Sequence, residues 1–337
     1  MHKKVILNIE SVYTATAFQI DGQFFVAGGS ETTPQVYLYN LNKGNTNLVD
    51  GCPGGVMSFV PAPGHDNLFY SIMGLFPPFI GAEAGLFQHI GHCQMWETSR
   101  IKHLPFAHRC DILSRDGEDY LFAVSVSKQK ENPADWSQPG EIHQVVLDHN
   151  TGMPVTSKLI DNSITRNHGM LKTTINGIET LCVSGAEGIF YLELENNNNW
   201  VLRELFNNEV SEFGLIDLDG DGQDELVTIE PFHGESLNVY KLTAGKWELK
   251  FTDTLSFGHG LSCGMFGGEP IIVVGNRRGS LTLDMFKPID LDKGEFSRQI
   301  IEEQAGPTQT QVFRANGTDY ILSANQKQNQ VALYWIE

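Results

Sequence analysis

The sequence predicts an all-β chain folded as a single seven-bladed β-propeller. Three features carry that prediction: abundant turn glycines, short strand-like runs, and one phrase repeated seven times. The chain has 337 residues, of which 34 are Gly. No stretch keeps apolar residues at helical spacing over three or more turns. Runs such as FFVAGG, VYLYNL, YLFAVSV, ELVTIE, PIIVVG and DYILSAN are instead short, rich in β-branched and aromatic residues, and bounded by turn formers. The repeated phrase is a strand, a Gly-containing turn, a second strand ending in small residues, a turn and a third strand. Its turn glycines are Gly22, Gly64, Gly117, Gly177, Gly222, Gly268 and Gly317, spaced by 42, 53, 60, 45, 46 and 49 residues. Each unit is long enough for a four-stranded antiparallel sheet, and seven such sheets set radially make a ring. A sandwich or barrel does not require the same phrase seven times.

Taken in chain order, the first element is the segment 4–9 (KVILNI), which has no partner in the first unit. The last unit offers only three strands, near 308–315, 318–325 and 329–336. The N-terminal segment is therefore expected to supply the outer strand of the last sheet, which locks the ring and removes an open seam. Units 2 and 3 have the longest spacings and carry insertions at 75–93 (LFPPFIGAEAGLFQHIGHC) and 127–143 (SKQKENPADWSQPGEIH). Long loops on a rigid ring carry function more often than the ring itself. Phe76, Phe79 and Trp136 in these loops are costly to leave in water without a purpose.

Unit 5 contains DLDGDGQDEL, with oxygen ligands at alternate positions, a Gly for the sharp turn and a closing carboxylate. A hard cation such as Ca²⁺ needs that pattern. Asp217, Asp219 and Asp221 would ligate through side chains, Gln223 through its carbonyl, and Glu225 at the end. Carboxylates this close repel one another without a cation. The role expected for the ion is structural, because the loop lies away from the axis.

The repeat also permits a register comparison. Nine residues before each turn glycine stand Tyr13, Gly55, His108, His168, Phe213, His259 and Thr308. These positions begin the innermost strands, which line the central channel, so three of seven channel-mouth positions are His. Imidazoles converging from distant parts of the sequence suit a divalent transition metal, Zn²⁺, Mn²⁺, Fe²⁺ or Ni²⁺, with positions left open for water or substrate. Arg109, Asn167, Glu212 and Gln309 flank the ring positions as partners for sugar hydroxyls or for the imidazoles. His65, His89 and His92 are secondary candidates, and His89 and His92 are expected in the unit 2 loop.

Composition narrows the partners. Lys plus Arg number 23 and Asp plus Glu 41, a formal charge of −18. An acidic surface without a Lys/Arg cluster repels phosphate, so nucleic acid is not expected as a partner. Apolar runs fall far short of the ~20 residues that cross a bilayer, so neither is a membrane. The first residues, MHKKVILNIE, hold too short an apolar run for a signal peptide. Cys52, Cys93, Cys110, Cys182 and Cys263 are scattered, odd in number and without a CxxC pair. Reduced thiols in a cytoplasmic protein are the expectation.

The motifs also carry a resemblance. NHGM, GHGL followed by VVGNRRG, LFPPFIGAEAGLF, and PFAHRCDI with SVSK and ADWSQPGEI resemble the propeller of the aldos-2-ulose dehydratase and anhydrofructose dehydratase group. The acidic loop resembles the calcium loops of FG-GAP and VCBS propeller repeats, which sit between the first two strands of a blade. The resemblance implies propellers that carry metal and eliminate water from keto-sugars. The dehydratases are much larger, with more than one propeller and a cupin-like part, whereas this chain has one ring. Other seven-bladed propellers cleave acidic polysaccharides by β-elimination with His, Tyr and Arg.

The function so implied is a metal-assisted carbohydrate lyase or dehydratase. His108, His168 and His259 would hold the metal, Tyr13 or Glu212 would take a proton α to a ketone, and Arg109 would steady the enolate. The competing expectation is a non-catalytic propeller that binds carbohydrate or protein on one face.

Overall fold

A computed structural model describes residues 1–20, 22–92, 95–195 and 199–336. Among them the strands form seven four-stranded antiparallel sheets, set as the blades of a propeller. The innermost strands, in blade order, are Val12–Ile20, Ser58–Pro61, Ala107–Arg115, Gly169–Ile175, Glu212–Ile216, Gly258–Phe266 and Pro307–Ala315. Ring closure is as the sequence predicts. His2–Asn8 pairs antiparallel with Gln330–Trp335 and completes the seventh blade, with Lys4 opposite Leu333 and Leu7 opposite Val331.

Local chemistry explains the strands. At Asp116–Gly117, Asn176–Gly177 and Asn316–Gly317 both residues have positive φ. That is the type I′ hairpin turn, whose twist matches that of the strands it joins. The second and third strands of each blade are packed by the neighbouring blades and carry the longest apolar runs. Leu181 and Val183, for example, are fully buried, as are Ile271 to Val274. Outer strands such as Pro154–Asp161 are largely exposed and read as polar sequence.

Every inner strand runs from one face of the ring to the other. The starts of the inner strands therefore share a face with the loops joining second to third strands. The turn glycines lie on the opposite face. Both predicted insertions fall on the face of the strand starts, the mouth. The first is shorter than expected: Gly85–His92 is the third strand of blade 2, so the loop ends at residue 84, and His89 and His92 lie on a strand. Cys93 falls outside the described residues. The second insertion is a true loop that ends where Ile142–Leu147 begins. Blade 2 also breaks the nine-residue register. Its inner strand spans only Ser58–Pro61, so Gly55 lies ahead of it with φ +61, against the backbone of Leu75. No helix among the described residues is long and apolar enough to cross a membrane.

Candidate metal centre at the propeller mouth

The structure brings Tyr13, His108, His168 and His259 together at the axis, all buried. The Tyr13 hydroxyl lies 3.1 Å from His108 Nε2 and 3.1 Å from His259 Nε2. The imidazoles are oriented from behind. His108 Nδ1 is 3.2 Å from the His168 carbonyl, and His259 Nδ1 is 2.6 Å from the Thr308 carbonyl. His168 Nδ1 is 2.9 Å from Glu212 Oε1 and 3.3 Å from the Ser211 carbonyl. Oxygen acceptors at Nδ1 hold a proton there, which leaves the Nε2 of a neutral ring with a bare lone pair facing the axis.

A fourth imidazole joins them. His233 lies in the loop between Glu225–Glu230 and Ser236–Thr243, with its Nε2 3.2 Å from His168 Nε2. His168, His233 and His259 offer ligand nitrogens within 4.8 Å of one another. The compact trio thus contains His233, and His108 stands across the Tyr13 hydroxyl. Register could not find His233, because it comes from a second-to-third-strand loop and not from the start of an inner strand.

Burial is the main cause that holds His108, His233 and His259 well below the usual imidazole range, helped by neighbouring imidazoles and arginines. These rings are neutral at pH 7. The cluster is therefore short of protons. The single Tyr13 hydrogen serves only one of the two Nε2 atoms beside it. Tyr13 itself is pushed well above the usual phenol range, first by burial.

Arg109 and Glu212, placed at the mouth by the sequence reading, sit behind the imidazoles instead. They line the channel of about 320 Å³ that continues along the axis, and bond each other at 2.7 Å. Burial opposes the Glu212 charge, but Arg109 and His168 outweigh it and hold the carboxyl below its usual range. Glu212 thus orients His168, and the Arg109–Glu212 pair keeps both charges compensated in the interior. Gln309 is occupied between blades: its Oε1 accepts the Ala15 N–H at 3.2 Å. Asn167 is buried beside His168, and neither of its amide atoms bonds a protein group.

In front of the imidazoles is a pocket of about 200 Å³. Its walls are Leu75, Phe76 and Phe79 of the blade 2 loop together with Phe257, and its polar groups include Arg277 and Glu31. The Arg277 guanidinium lies 5.7 Å from the Tyr13 ring centroid and 3.9 Å from Glu31. Burial raises the Glu31 pKa, against the pull of Arg277. Trp136 of the blade 3 loop closes the rim, edge-on to Phe79 at 5.0 Å and to Phe232 at 5.1 Å. Glu31, His233 and Arg277 all come from second-to-third-strand loops. Of the three, only Arg277 lies in a motif that stood out in sequence, VVGNRRG.

The other histidine candidates stand apart. His89 is buried in blade 2, with Nε2 2.8 Å from Ser71 Oγ and Nδ1 2.9 Å from Thr98 Oγ1, stacked on Phe69. His65 reaches the His149 carbonyl at 3.2 Å on the surface, and His92 is exposed at a strand end.

The acidic loop lies on the opposite face, between the first two strands of blade 5. Oxygens of Asp217, Asp219 and Glu225 come within 4.8 Å of one another. The Asp217 carboxylate accepts the Gly220 and Gly222 N–H groups, and Glu225 accepts the Leu218 N–H at 2.7 Å. Asp221 accepts the N–H of Gln223 at 2.8 Å. The Lys241 ammonium bonds Asp219, sits 2.9 Å from Asp221 and is 4.0 Å from Glu225. Burial first, and the neighbouring carboxylates after it, push Glu225 up to about 7.

Fold and mouth together define a seven-bladed β-propeller with a histidine-lined axial pocket. Among solved structures, the chain is similar to a candidate 6-phosphogluconolactonase from Bacteroides uniformis, with TM-score 0.61, 11% identity, and coverage of 91% of this chain and 89% of that one. It is also similar to the Dos1 propeller, with TM-score 0.57, 10% identity, and coverage of 96% of this chain and 78% of that one. At such identities the likeness is one of fold. No protein-family model and no curated protein sequence matches the chain.

Proposed function

We propose that the mouth is the active site of a metal-assisted carbohydrate lyase or dehydratase, acting by β-elimination on a keto-sugar. The observation that carries this reading is the shortage of protons among converging, carbonyl-anchored imidazoles. A cation relieves it, and the donors fit one. Two ligands of a tetrahedral ion with bonds of about 2.0–2.1 Å stand roughly 3.3 Å apart, and His168 Nε2 and His233 Nε2 are 3.2 Å apart. His168, His233 and His259 would hold a transition metal such as Zn²⁺, Mn²⁺, Fe²⁺ or Ni²⁺. When bound, such a metal polarises a sugar carbonyl and makes the adjacent C–H acidic.

The chain's own groups supply the rest. Tyr13 takes the C–H proton on its oxygen while passing its own to His108 Nε2, 3.1 Å away. The C–H electron pair becomes the new C=C bond as the β-oxygen leaves. Glu31 gives that oxygen a proton, because burial keeps the carboxyl protonated to higher pH than usual. Arg277 binds a substrate oxygen, in the role first expected of Arg109. Phe76, Phe79 and Phe257 exclude water from the pocket. The motif resemblance to the sugar dehydratases points the same way.

We also propose that the acidic loop binds Ca²⁺ through Asp217, Asp219, Asp221, Glu225 and the Gln223 carbonyl, as a structural ion on the far face. The all-oxygen donor set suits a hard cation, and Lys241 competes with that ion for Asp219 and Asp221.

The test of the mouth is metal analysis of the purified protein, with elimination on keto-sugars followed by the ultraviolet absorbance of the conjugated product. The expected result is about one transition-metal ion per chain, lost together with elimination in His168→Ala and His259→Ala. A metal-free wild type, or one that eliminates from no keto-sugar, overturns the reading.

A further inference from the structure

The 200 Å³ pocket over the imidazoles is not the whole mouth. His233 and Phe257, with ring centroids 4.8 Å apart, also line a second hollow of about 420 Å³ directly outside it. The inner pocket is smaller than the roughly 300–1,000 Å³ usual for ligand sites, and the two hollows together fall within that range. A ligand that fills the mouth therefore extends past the reacting ring.

The outer hollow has the chemistry of a sugar ring's partner. Phe232 stacks on His233 at 4.0 Å, and Phe257 forms the other aromatic wall. Apolar C–H faces of a pyranose or furanose pack on such rings, while its hydroxyls need charged donors and acceptors at the edge. Arg278 and Glu235 stand there, both exposed. The Arg278 guanidinium lies over Phe257, 4.5 Å from its ring centroid. Backbone hydrogen bonds hold the walls. Arg277 N–H donates to the Phe257 carbonyl at 3.1 Å, Arg278 N–H to Ser256 at 3.0 Å, and Leu255 N–H to Glu235 at 2.7 Å. A subsite set by backbone bonds needs little ordering when ligand binds.

We infer that this hollow is a second sugar subsite, and that the substrate is a glycoside of at least two rings. The reacting keto-sugar occupies the inner pocket, and the adjoining ring lies on Phe232, bounded by Phe257 with Arg278 and Glu235 at its edge. The inference rests on the proposed reading of the mouth as a sugar site.

Calorimetric titration of the full-length protein, as purified with its metal, tests it. The probes are one keto-monosaccharide, fructose, and three disaccharides that contain it: lactulose, turanose and isomaltulose. At least one disaccharide is expected to bind about tenfold or more tighter than fructose, a difference of about 1.4 kcal/mol. Arg278→Ala and Glu235→Gln are each expected to shrink that preference to about threefold or less. Equal affinity for fructose and all three disaccharides removes the outer subsite but leaves the inner sugar site standing. A preference that survives both substitutions also overturns the assignment. Binding of none of the four sugars overturns the sugar reading of the mouth and this inference with it.

Discussion

The two clusters of titratable groups in this ring lie on opposite faces and are built in opposite ways. The acidic loop on the far face is nine consecutive residues, mostly exposed, and held in shape by its own backbone N–H groups. The mouth gathers largely buried side chains, with His108, His233 and His259 neutral, from positions as distant as Tyr13 and His259. Each needs a different remedy. The loop has too much negative charge, and the Lys241 ammonium already lies across part of it. The mouth has the reverse condition: its neutral imidazoles are short of protons, and the nearby guanidiniums of Arg109 and Arg277 discourage them from taking more. Local carboxylate clusters can thus be partly neutralised by one side chain, whereas converging imidazole lone pairs suit the ion with several open positions proposed for the mouth.

Substituting the mouth should give the largest effect. His168→Ala removes a ligand of the proposed metal and is expected to reduce keto-sugar elimination by about 10²–10⁴-fold or more, with the melting curve still cooperative. A variant with undiminished elimination would remove the mouth from the chemistry and collapse the contrast.

Glu212→Gln probes the support behind the imidazole. It weakens the acceptor at His168 Nδ1 and leaves Arg109 without its partner. Transition-metal affinity is expected to fall by about 10–100-fold, measured by competition with a chelator, while Ca²⁺ binding at the far face is unaffected. Unchanged metal affinity would limit Glu212 to a structural partner of Arg109.

His89 sharpens the comparison, because it is as buried as the mouth histidines but both its nitrogens meet hydroxyls. Burial pushes its pKa down to about 3. The unfolded chain, with an imidazole near 6.5, binds the extra proton between those values. The stability it contributes is whole above about pH 6.5 and is lost as pH falls toward 3, by about 1.4 kcal/mol per pH unit. Chemical denaturation of wild type and His89→Gln between pH 7 and 5 should show a shallower slope in the variant. Parallel slopes would mean that His89 is protonated in the folded protein.

The smallest effect is expected at the acidic loop. Saturating Ca²⁺ should raise the melting temperature by a few degrees, corresponding to about 2.7 kcal/mol at a hundred times Kd. Asp219→Ala should abolish the rise without loss of elimination, and Lys241→Ala should tighten Ca²⁺ by removing its competitor. A wild type whose melting point ignores Ca²⁺ while Lys241→Ala responds would show that the lysine alone neutralises the loop.

The unequal legibility of these regions follows from where their information lies. Gly117, Gly177 and Gly317 announce hairpins because an Asp or Asn and a Gly at positive φ write the turn into adjacent residues. The apolar middle strands announce themselves because neighbouring blades cover both of their faces. Asp217 to Glu225 is legible for the same reason: its donors are neighbours in sequence. Tyr13, His108, His168 and His259 became legible only through the repeat, which turns a sequence position into a place on the axis. Where a blade departs from the repeat that correspondence is lost, as at Gly55 and the strand Gly85–His92.

By itself, then, the sequence determined the seven sheets, the closing strand, the acidic loop and three of the axial imidazoles, all properties carried by local turn chemistry or by repetition. Only the tertiary structure decided that His233, Glu31 and Arg277 join them and that Arg109 and Glu212 stand behind them. The physical reason is that second-to-third-strand loops have no common length or register. Their side chains reach the mouth because the ring bends seven blades around one axis, a distance that no spacing along the chain records.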